Sequence, residues 1–341
     1  MKLAIGFHTI AGPWGGGNRF VKALWEAMTI AGHTVVETLD SPDVDLILIL
    51  DPRWRHPNVT FNSGAVLRYL MLRNPRAIVV HRINECDERK NGHGMNHKLR
   101  VANYCADHTV FVGSWLQNLD LWDKASGASS SVITNGADTR IFNASGHQPW
   151  AGEGPLKLVT HHWGNNWMKG FDVYSQLDEM LATQEWRGRI EFTYIGNLPK
   201  GFRFKYARHV SPFDGQELAD ELRRHHGYLT ASINEPGSNH QNEGALCGLP
   251  LLYLRSGCLP EYCAGYGIEF SAGEFEPALV RYIDAYSALL SRMAEYPHTA
   301  ANMIQAYQEL FAQLLSRREQ IVEQRRLWRS RWLLLRNQLP M

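Results

Sequence analysis

Residues 232–250 read Ser-Ile-Asn-Glu-Pro-Gly-Ser-Asn-His-Gln-Asn-Glu-Gly-Ala-Leu-Cys-Gly-Leu-Pro. An apolar run, Gly227–Ile233, leads into this stretch and reads as a buried strand. A turn-rich loop follows, then a short helix that Gly248 stops. Ser238 and Gln241 fit a capping box. Glu235 and Glu243 therefore flank one helix start, with seven residues between them. Between the two acids, the amides near Ser238–His240 are open to an oxyanion. Carboxylates accept hydrogen bonds from vicinal hydroxyls. A ligand with hydroxyls at both ends and phosphates in the middle suits this pattern, and a nucleotide sugar is such a ligand. The bland alternatives are a helix-dipole partner for Glu243 and a surface loop acid for Glu235.

The same strand, loop and helix rhythm extends in both directions. Upstream, Leu156–His161 and Ile190–Ile195 read as strands, with helices over Phe171–Thr183 and Gly215–His225; downstream lies the strand Leu249–Leu254. Further upstream, Asn143–Pro155 is rich in Gly, Pro and polar residues and reads as an interdomain linker. Before it the rhythm runs again. Strands are expected at Leu3–Phe7, Thr34–Glu37, Leu46–Leu50, Ala77–His81, Thr109–Val112 and Ser131–Thr134. Helices are expected after Asn18 and over Ser63–Leu72, His97–Cys105 and Trp115–Lys124. Alternating β and α segments with wholly apolar strands imply parallel sheets covered on both faces. The expectation is an α/β protein with two Rossmann-like domains, residues 1–148 and 149–300, whose sheets face across a cleft, plus a long C-terminal helix in residues 301–341. Ligands of such sheets sit at the carboxyl ends of the strands.

Composition agrees with a folded two-domain chain. There are 341 residues, 44% of them hydrophobic, and the net charge is +1. That balance excludes a protein driven onto nucleic acid by bulk positive charge. Five cysteines form no CxxC pair, so neither a disulfide framework nor a thiol metal site is expected. The N-terminus lacks the long apolar stretch of a signal peptide, and no apolar run is long enough to span a bilayer. The expected location is cytoplasmic. The last stretch carries seven Arg between Arg317 and Arg336, with Trp328 and Trp332 at i, i+4. It reads either as a helix packed back on the protein or as a basic, aromatic face for peripheral contact at the inner membrane surface.

The glycine loop Gly12–Gly17 follows the first strand, where backbone amides can approach an anion. It departs from G-x-G-x-x-G, because Phe20 stands where the third Gly belongs, and no Walker A motif is present. His93 and His97 have metal-like spacing, but the neighbouring Gly92 and Gly94 speak against a helix there. No metal site is expected.

The segment from about residue 130 to 261 resembles the retaining, family 4 group of GT-B glycosyltransferases (glycosyl transferases group 1). The E-x7-E element is Glu235 to Glu243, followed by Ala245 and Gly248-Leu-Pro250. Asn135-Gly-Ala-Asp138 with Phe142 resembles the family's NGxDxxxF segment. Lys169-Gly-Phe-Asp172 resembles its KGxD helix start, and His209-Val-Ser-Pro with Glu217 the loop near the base. The resemblance implies metal-independent transfer, with retention, of a sugar from a nucleotide-diphosphate donor to an unidentified glycan, lipid-linked or small-molecule acceptor. The donor is a substrate, and no separate cofactor is implied. Glu235 would contact donor-sugar hydroxyls and Glu243 the ribose. Lys169 would neutralise the diphosphate, with Gly237, Ser238, Asn239 and His240 presenting amides to it. Gly16 and Gly17 would line the first-domain side, and His81 would lie near sugar and acceptor. Where the family has an Arg ahead of the Lys, Thr160–Met168 has none; either His162, Asn165 or Asn166 would substitute, or the phosphates would be held more loosely.

Two other functions compete. A nicotinamide-dependent oxidoreductase would use Gly15-x-Gly17 with Glu37 on a ribose. A non-catalytic nucleotide- or glycan-binding protein would keep the fold without turnover.

Overall fold

The computed structural model describes residues 1–10, 16–53 and 56–339. The chain divides into two units. Lobe 1 comprises Met1–Thr134 together with Met303–Met341, and lobe 2 is Asn135–Asn302. The crossing point therefore falls at Thr134/Asn135. The irregular Asn143–Pro155 stretch, expected as the linker, lies inside lobe 2, and residues 303–341 return to lobe 1.

In lobe 1, β1 (Lys2–Ile5), α1 (Gly16–Ile30), β2 (Thr34–Val36), β3 (Leu46–Ile49), α2 (Ser63–Leu72), β4 (Ile78–Ile83), α3 (Met95–Asn103), β5 (His108–Phe111) and β6 (Ser129–Val132) follow in order. The six strands form one parallel sheet in the order β2-β1-β3-β4-β5-β6. Successive residues of a strand face opposite ways. Leu3, Ile5, Leu46 and Leu48 pack against Phe20 and Leu24 of α1, while Ala4, Ile47 and Ile49 pack against Val66, Leu67 and Leu70 of α2. Both faces are covered, which is why these strands read as unbroken apolar runs.

Lobe 2 contains β7 (Leu156–His162), α4 (Phe171–Met180), β8 (Ile190–Gly196), β9 (Arg208–Val210), α5 (Gly215–Leu222), β10 (Gly227–Thr230), α6 (His240–Leu246), β11 (Leu251–Leu254), α7 (Leu259–Cys263), β12 (Gly267–Phe270) and α8 (Phe275–Leu290). Its parallel sheet runs β12-β11-β10-β7-β8-β9. Leu158, Phe192, Leu229 and Leu252 bury against Phe171 and Leu177 of α4 and against Leu279 and Tyr282 of α8. The short edge strands β9 and β12 have no counterpart in the sequence reading.

Each sheet reverses its strand order once: beside β1 and β3 in lobe 1, and beside β7 and β10 in lobe 2. A crevice opens at the carboxyl ends of the strands at such a point, and ligands of open α/β sheets bind there.

The expected single C-terminal helix is three: α9 (Ala300–Ser316), α10 (Arg318–Gln324) and α11 (Arg331–Asn337). α9 packs on the lobe 1 sheet through Tyr307 and Phe311. Tertiary bonds break the helical run between α10 and α11: Arg325 takes extended backbone, and Tyr104 Oη donates to Leu327 O at 2.8 Å. The helix expected at Trp115–Lys124 is only a tight 3-10 turn over Ser114–Asn118. α1 starts at Gly16, ahead of Asn18. Asn18 is buried and ties down Ile10, accepting from its N–H at 3.0 Å and donating to its carbonyl at 2.9 Å. All five cysteines are buried and none is in a disulfide.

Candidate functional site

Two turns meet at the switch point of lobe 2. The first follows β7 and carries Lys169; the second follows β10 and carries Glu235. Ile233 N–H donates to Met168 O at 2.8 Å, which locks the turns together. Gly170 has φ +105°, and a Cβ there would lie 2.7 Å from the Ala231 Cβ. Only glycine lets the Lys169 turn press against the end of β10. Gly257 plays the same part behind Glu235: with φ +57°, a Cβ would lie 2.4 Å from the Glu235 carbonyl oxygen.

That packing brings Lys169 and Glu235 into one buried ion pair. Nζ lies 2.7 Å from Oε2, and the two side chains are 8% and 2% exposed. β10 ends at Thr230, so Glu235 sits in the loop beyond it and not directly at the strand end. Glu243 lies in the first turn of α6, also buried. Its Oε2 is 2.8 Å from His161 Nε2, and Tyr228 Oη is 3.0 Å from His161 Nδ1. Tyr228 Oη also accepts from His161 N–H at 3.1 Å. Tyr228 therefore donates its own proton to Nδ1, and the Nε2–H of His161 points at Glu243. This relay, Tyr228 to His161 to Glu243, was not legible as such, although the paired histidines closing β7 were its visible trace.

His162 faces the other way. Tyr174 Oη accepts from Ala231 N–H at 3.3 Å and lies 2.8 Å from His162 Nε2. Burial, reinforced by His240 and Lys169, holds the His162 pKa well below its ordinary value. His240 Nε2 is 2.7 Å from Thr230 Oγ1. Ser238 and Gln241 bond to one another, Oγ to Oε1 at 2.8 Å and Nε2 to the Ser238 carbonyl at 2.7 Å. They do not cap α6 in the expected way, because Asn239 precedes the helix and no side chain caps it. The Gly237 carbonyl is braced by Asn135 Nδ2, and the Asn135 carbonyl by Asn242 Nδ2 at 3.1 Å. The Asn135-Gly136 motif thus supports the loop between the two acids.

Of the candidates for the missing Arg, His162 is spent on Tyr174. Asn166 stands closer to the chemistry. A Cβ placed on Gly164 would lie 3.6 Å from Lys169 Cε and 3.8 Å from Asn166 Nδ2. Asn166 Oδ1 is buried and has no hydrogen-bond partner.

The remaining candidates belong to lobe 1. Gly16 and Gly17 open α1, while Gly12–Gly15 fall outside the described residues. His81 is fully buried inside β4, which continues to Ile83, and is not at a strand end. Its Nδ1 is 3.2 Å from Asn103 Nδ2, and burial lowers its pKa to about 4. Glu37, the acid of the oxidoreductase reading, is held by His8 at 2.8 Å. His93 lies outside α3, and Asp87 caps that helix by accepting from Met95 N–H at 2.8 Å. Among the described residues no group of three or more His, Cys, Asp or Glu side chains is placed to hold a metal ion, and no helix is long and apolar enough to cross a membrane.

No family model matches the chain, and no curated protein matches it by sequence. Solved structures do match. Sucrose-phosphate synthase from Thermosynechococcus elongatus is 15% identical with a TM-score of 0.61, over 92% of this chain and 99% of that one. A glycosyltransferase from Rickettsia africae is 11% identical with a TM-score of 0.63, over 92% and 98%. Anabaena Alr3699/HepE, in complex with UDP-glucose, is 13% identical with a TM-score of 0.62, over 92% and 100%. Over nearly its whole length, the chain has the GT-B fold of these glycosyltransferases.

Proposed function

We propose that the protein transfers a sugar from a nucleotide-diphosphate donor to an acceptor hydroxyl. The observation that carries this reading is the buried Lys169–Glu235 pair with Glu243 and its histidine, placed at the switch point of lobe 2 in a GT-B fold. Such proteins as Anabaena HepE bind UDP-glucose in this fold.

The chemistry follows from the residues. Breaking the sugar C1–O bond leaves its electron pair on the diphosphate, while the acceptor hydroxyl oxygen bonds to C1 and its proton passes to the departing phosphate. A positioned cation and backbone amides stabilise that charge better in the transition state than in the ground state. Lys169 and the amides of Gly237 to His240 would supply them. Glu235, held against Lys169, would turn its acceptor capacity to donor-sugar hydroxyls once phosphate shares the ammonium. Glu243, aimed by His161, would hold the ribose. Asn166 would offer its unsatisfied carbonyl oxygen to a further hydroxyl. Retention of configuration and independence of metal belong to the same proposal, as do Gly16 and Gly17 as lobe 1 contacts. His81 would act as a neutral hydrogen-bond partner, since its lowered pKa unsuits it to be an acid. Peripheral contact with an anionic membrane through the C-terminal segment completes the reading.

The test is a thermal-shift panel of UDP, GDP, ADP and their sugar conjugates, followed by mass spectrometry of donor and product. A ligand that binds only the folded state raises its melting temperature. Stabilisation by one nucleoside diphosphate and its sugar conjugate, with turnover lost in Glu243→Ala, is the expected result. Stabilisation by NAD and by no nucleoside diphosphate would favour the oxidoreductase instead. Binding without any transfer or hydrolysis would favour a non-catalytic protein.

A further inference from the structure

The C-terminal segment of lobe 1 presents two stripes of opposite character. The inner stripe is fixed to the lobe. Leu334 is buried, and Asn337 donates to Val101 O at 3.0 Å while accepting from Ser63 Oγ at 2.5 Å. The arginines on this side are staples, not a free basic face. Arg318 pairs with Asp45 at 2.7 Å, and Arg325 holds Asp107 at 2.6 Å. Arg325 also donates to the carbonyls of Pro75 and Ala77. Arg329 pairs with Asp123 at 2.9 Å and stacks on Tyr104 at 3.8 Å.

The outer side carries Trp328 in the turn ahead of α11, Trp332 and Leu335 one turn apart on α11, and Leu339 just past its end. These side chains are 74%, 60%, 69% and 57% exposed. They make up four of the ten large apolar side chains exposed among the described residues, and all four fall between residues 328 and 339. Arg326 and Arg331 flank these residues in sequence, both exposed, and among the described residues neither makes an ion pair. From Arg326 to Leu339 the sequence contains four Arg and no acid.

We propose that this stripe is a membrane-docking surface that lays α11 on an anionic bilayer. Trp and Leu enter the headgroup boundary, where an indole buries its apolar body and keeps its N–H wet. The unspent arginines meet the negative surface charge. An acidic protein groove would match the arginines but not two tryptophans and two leucines left bare. The stapled inner stripe matters because it presents the apolar face already formed, with no folding required on contact. The proposal deepens the membrane contact stated above, and it does not depend on the sugar-transfer chemistry.

The experiment is co-sedimentation of the full chain with vesicles of equal parts phosphatidylglycerol and phosphatidylcholine, and with vesicles of phosphatidylcholine alone. Binding to the anionic vesicles is expected at about 0.1 M salt, weakening at about 0.5 M as charges are screened. Trp328→Ser with Trp332→Ser should weaken it roughly tenfold or more. Arg326→Gln with Arg331→Gln should lessen its dependence on salt. All four side chains are exposed, so melting temperature should stay within about 2 °C of the parent. Failure to bind anionic vesicles, or binding indifferent to both variants, overturns the proposal. A dimer that dissociates in the Trp variant, with no vesicle binding, also overturns it, since the stripe would then serve a second copy of the chain. Because the readout is vesicle binding, failure here leaves the transfer proposal standing, and failure of transfer leaves this one standing.

Discussion

Replacing Lys169 with Met tests the centre of the candidate site. The Lys169 and Glu235 side chains are 8% and 2% exposed, with their charged atoms 2.7 Å apart. The methionine fills nearly the same volume, so packing changes little. What changes is charge: a carboxylate loses its ammonium partner in a place water barely reaches. Removing one member of a buried pair costs about 3–5 kcal/mol, because the survivor is left uncompensated. Against a total stability of about 5–15 kcal/mol, that is a large share. The expected result is a marked drop in the urea midpoint of lobe 2, followed by fluorescence, since Trp150, Trp163, Trp167 and Trp186 all report on that lobe. Lys169→Met with Glu235→Leu removes both charges, and a buried pair exchanged for apolar groups is often neutral or better. The double variant should therefore recover most of the loss, with a coupling energy above about 2 kcal/mol. Both variants should lose nucleoside diphosphate binding, because neither keeps the cation. A single-variant cost below about 1 kcal/mol, or losses that simply add, would refute the view that these groups form one desolvated unit.

Three further outcomes are expected. His161→Ala takes away the hydrogen bond that aims Glu243; titration calorimetry should show nucleoside diphosphate affinity falling by roughly tenfold, and Tyr228→Phe, which frees Nδ1, should produce a smaller loss in the same direction. Gly170→Ala places a Cβ 2.7 Å from the Ala231 Cβ at φ +105°, so the urea midpoint should register a loss of about 2–4 kcal/mol. Stability should also fall in mild acid. Burial lowers His81, His108 and His298 to about 4, below the ordinary 6.5. In that window the unfolded chain binds protons the folded one refuses. Their stabilising effect is thus complete above pH about 6.5 and is lost as pH falls toward 4, up to about 3 kcal/mol for a fully buried histidine. A melting temperature unchanged between about pH 7 and 4.5 would contradict this.

The strands and the acids were legible in the sequence for one reason: their signals are local. Leu46–Ile49 is buried on both faces, and such a strand must be apolar at every position. Glu235 and Glu243 lie on either side of one turn, so their spacing alone brings them to one place. The lysine opposite Glu235 was legible as a motif, but not as an ion partner, because 66 residues separate the two. Even then the glycine beside it was informative. Gly170 is required by the close approach to Ala231, and that approach is what draws Lys169 onto Glu235.

The C-terminal arginines show where such reading stops. Arg325 and Arg326 are neighbours of the same type, yet one is bound to Asp107 and two carbonyls, and the other makes no ion pair among the described residues. Asp107 is 218 residues away in sequence. No local pattern separates a staple from a free charge when the partner is that distant. Seven arginines in one stretch therefore left two readings open, a helix packed back on the protein or a basic face, with nothing to assign each arginine to one or the other. The fold sorts them instead into those that hold the segment down and those left beside exposed tryptophans. The proposed docking surface rests on that sorting and not on the total charge. A basic helix as a whole would bind any anion; a stapled segment with bare Trp and Leu side chains would, on this proposal, select a surface that is both negatively charged and apolar beneath.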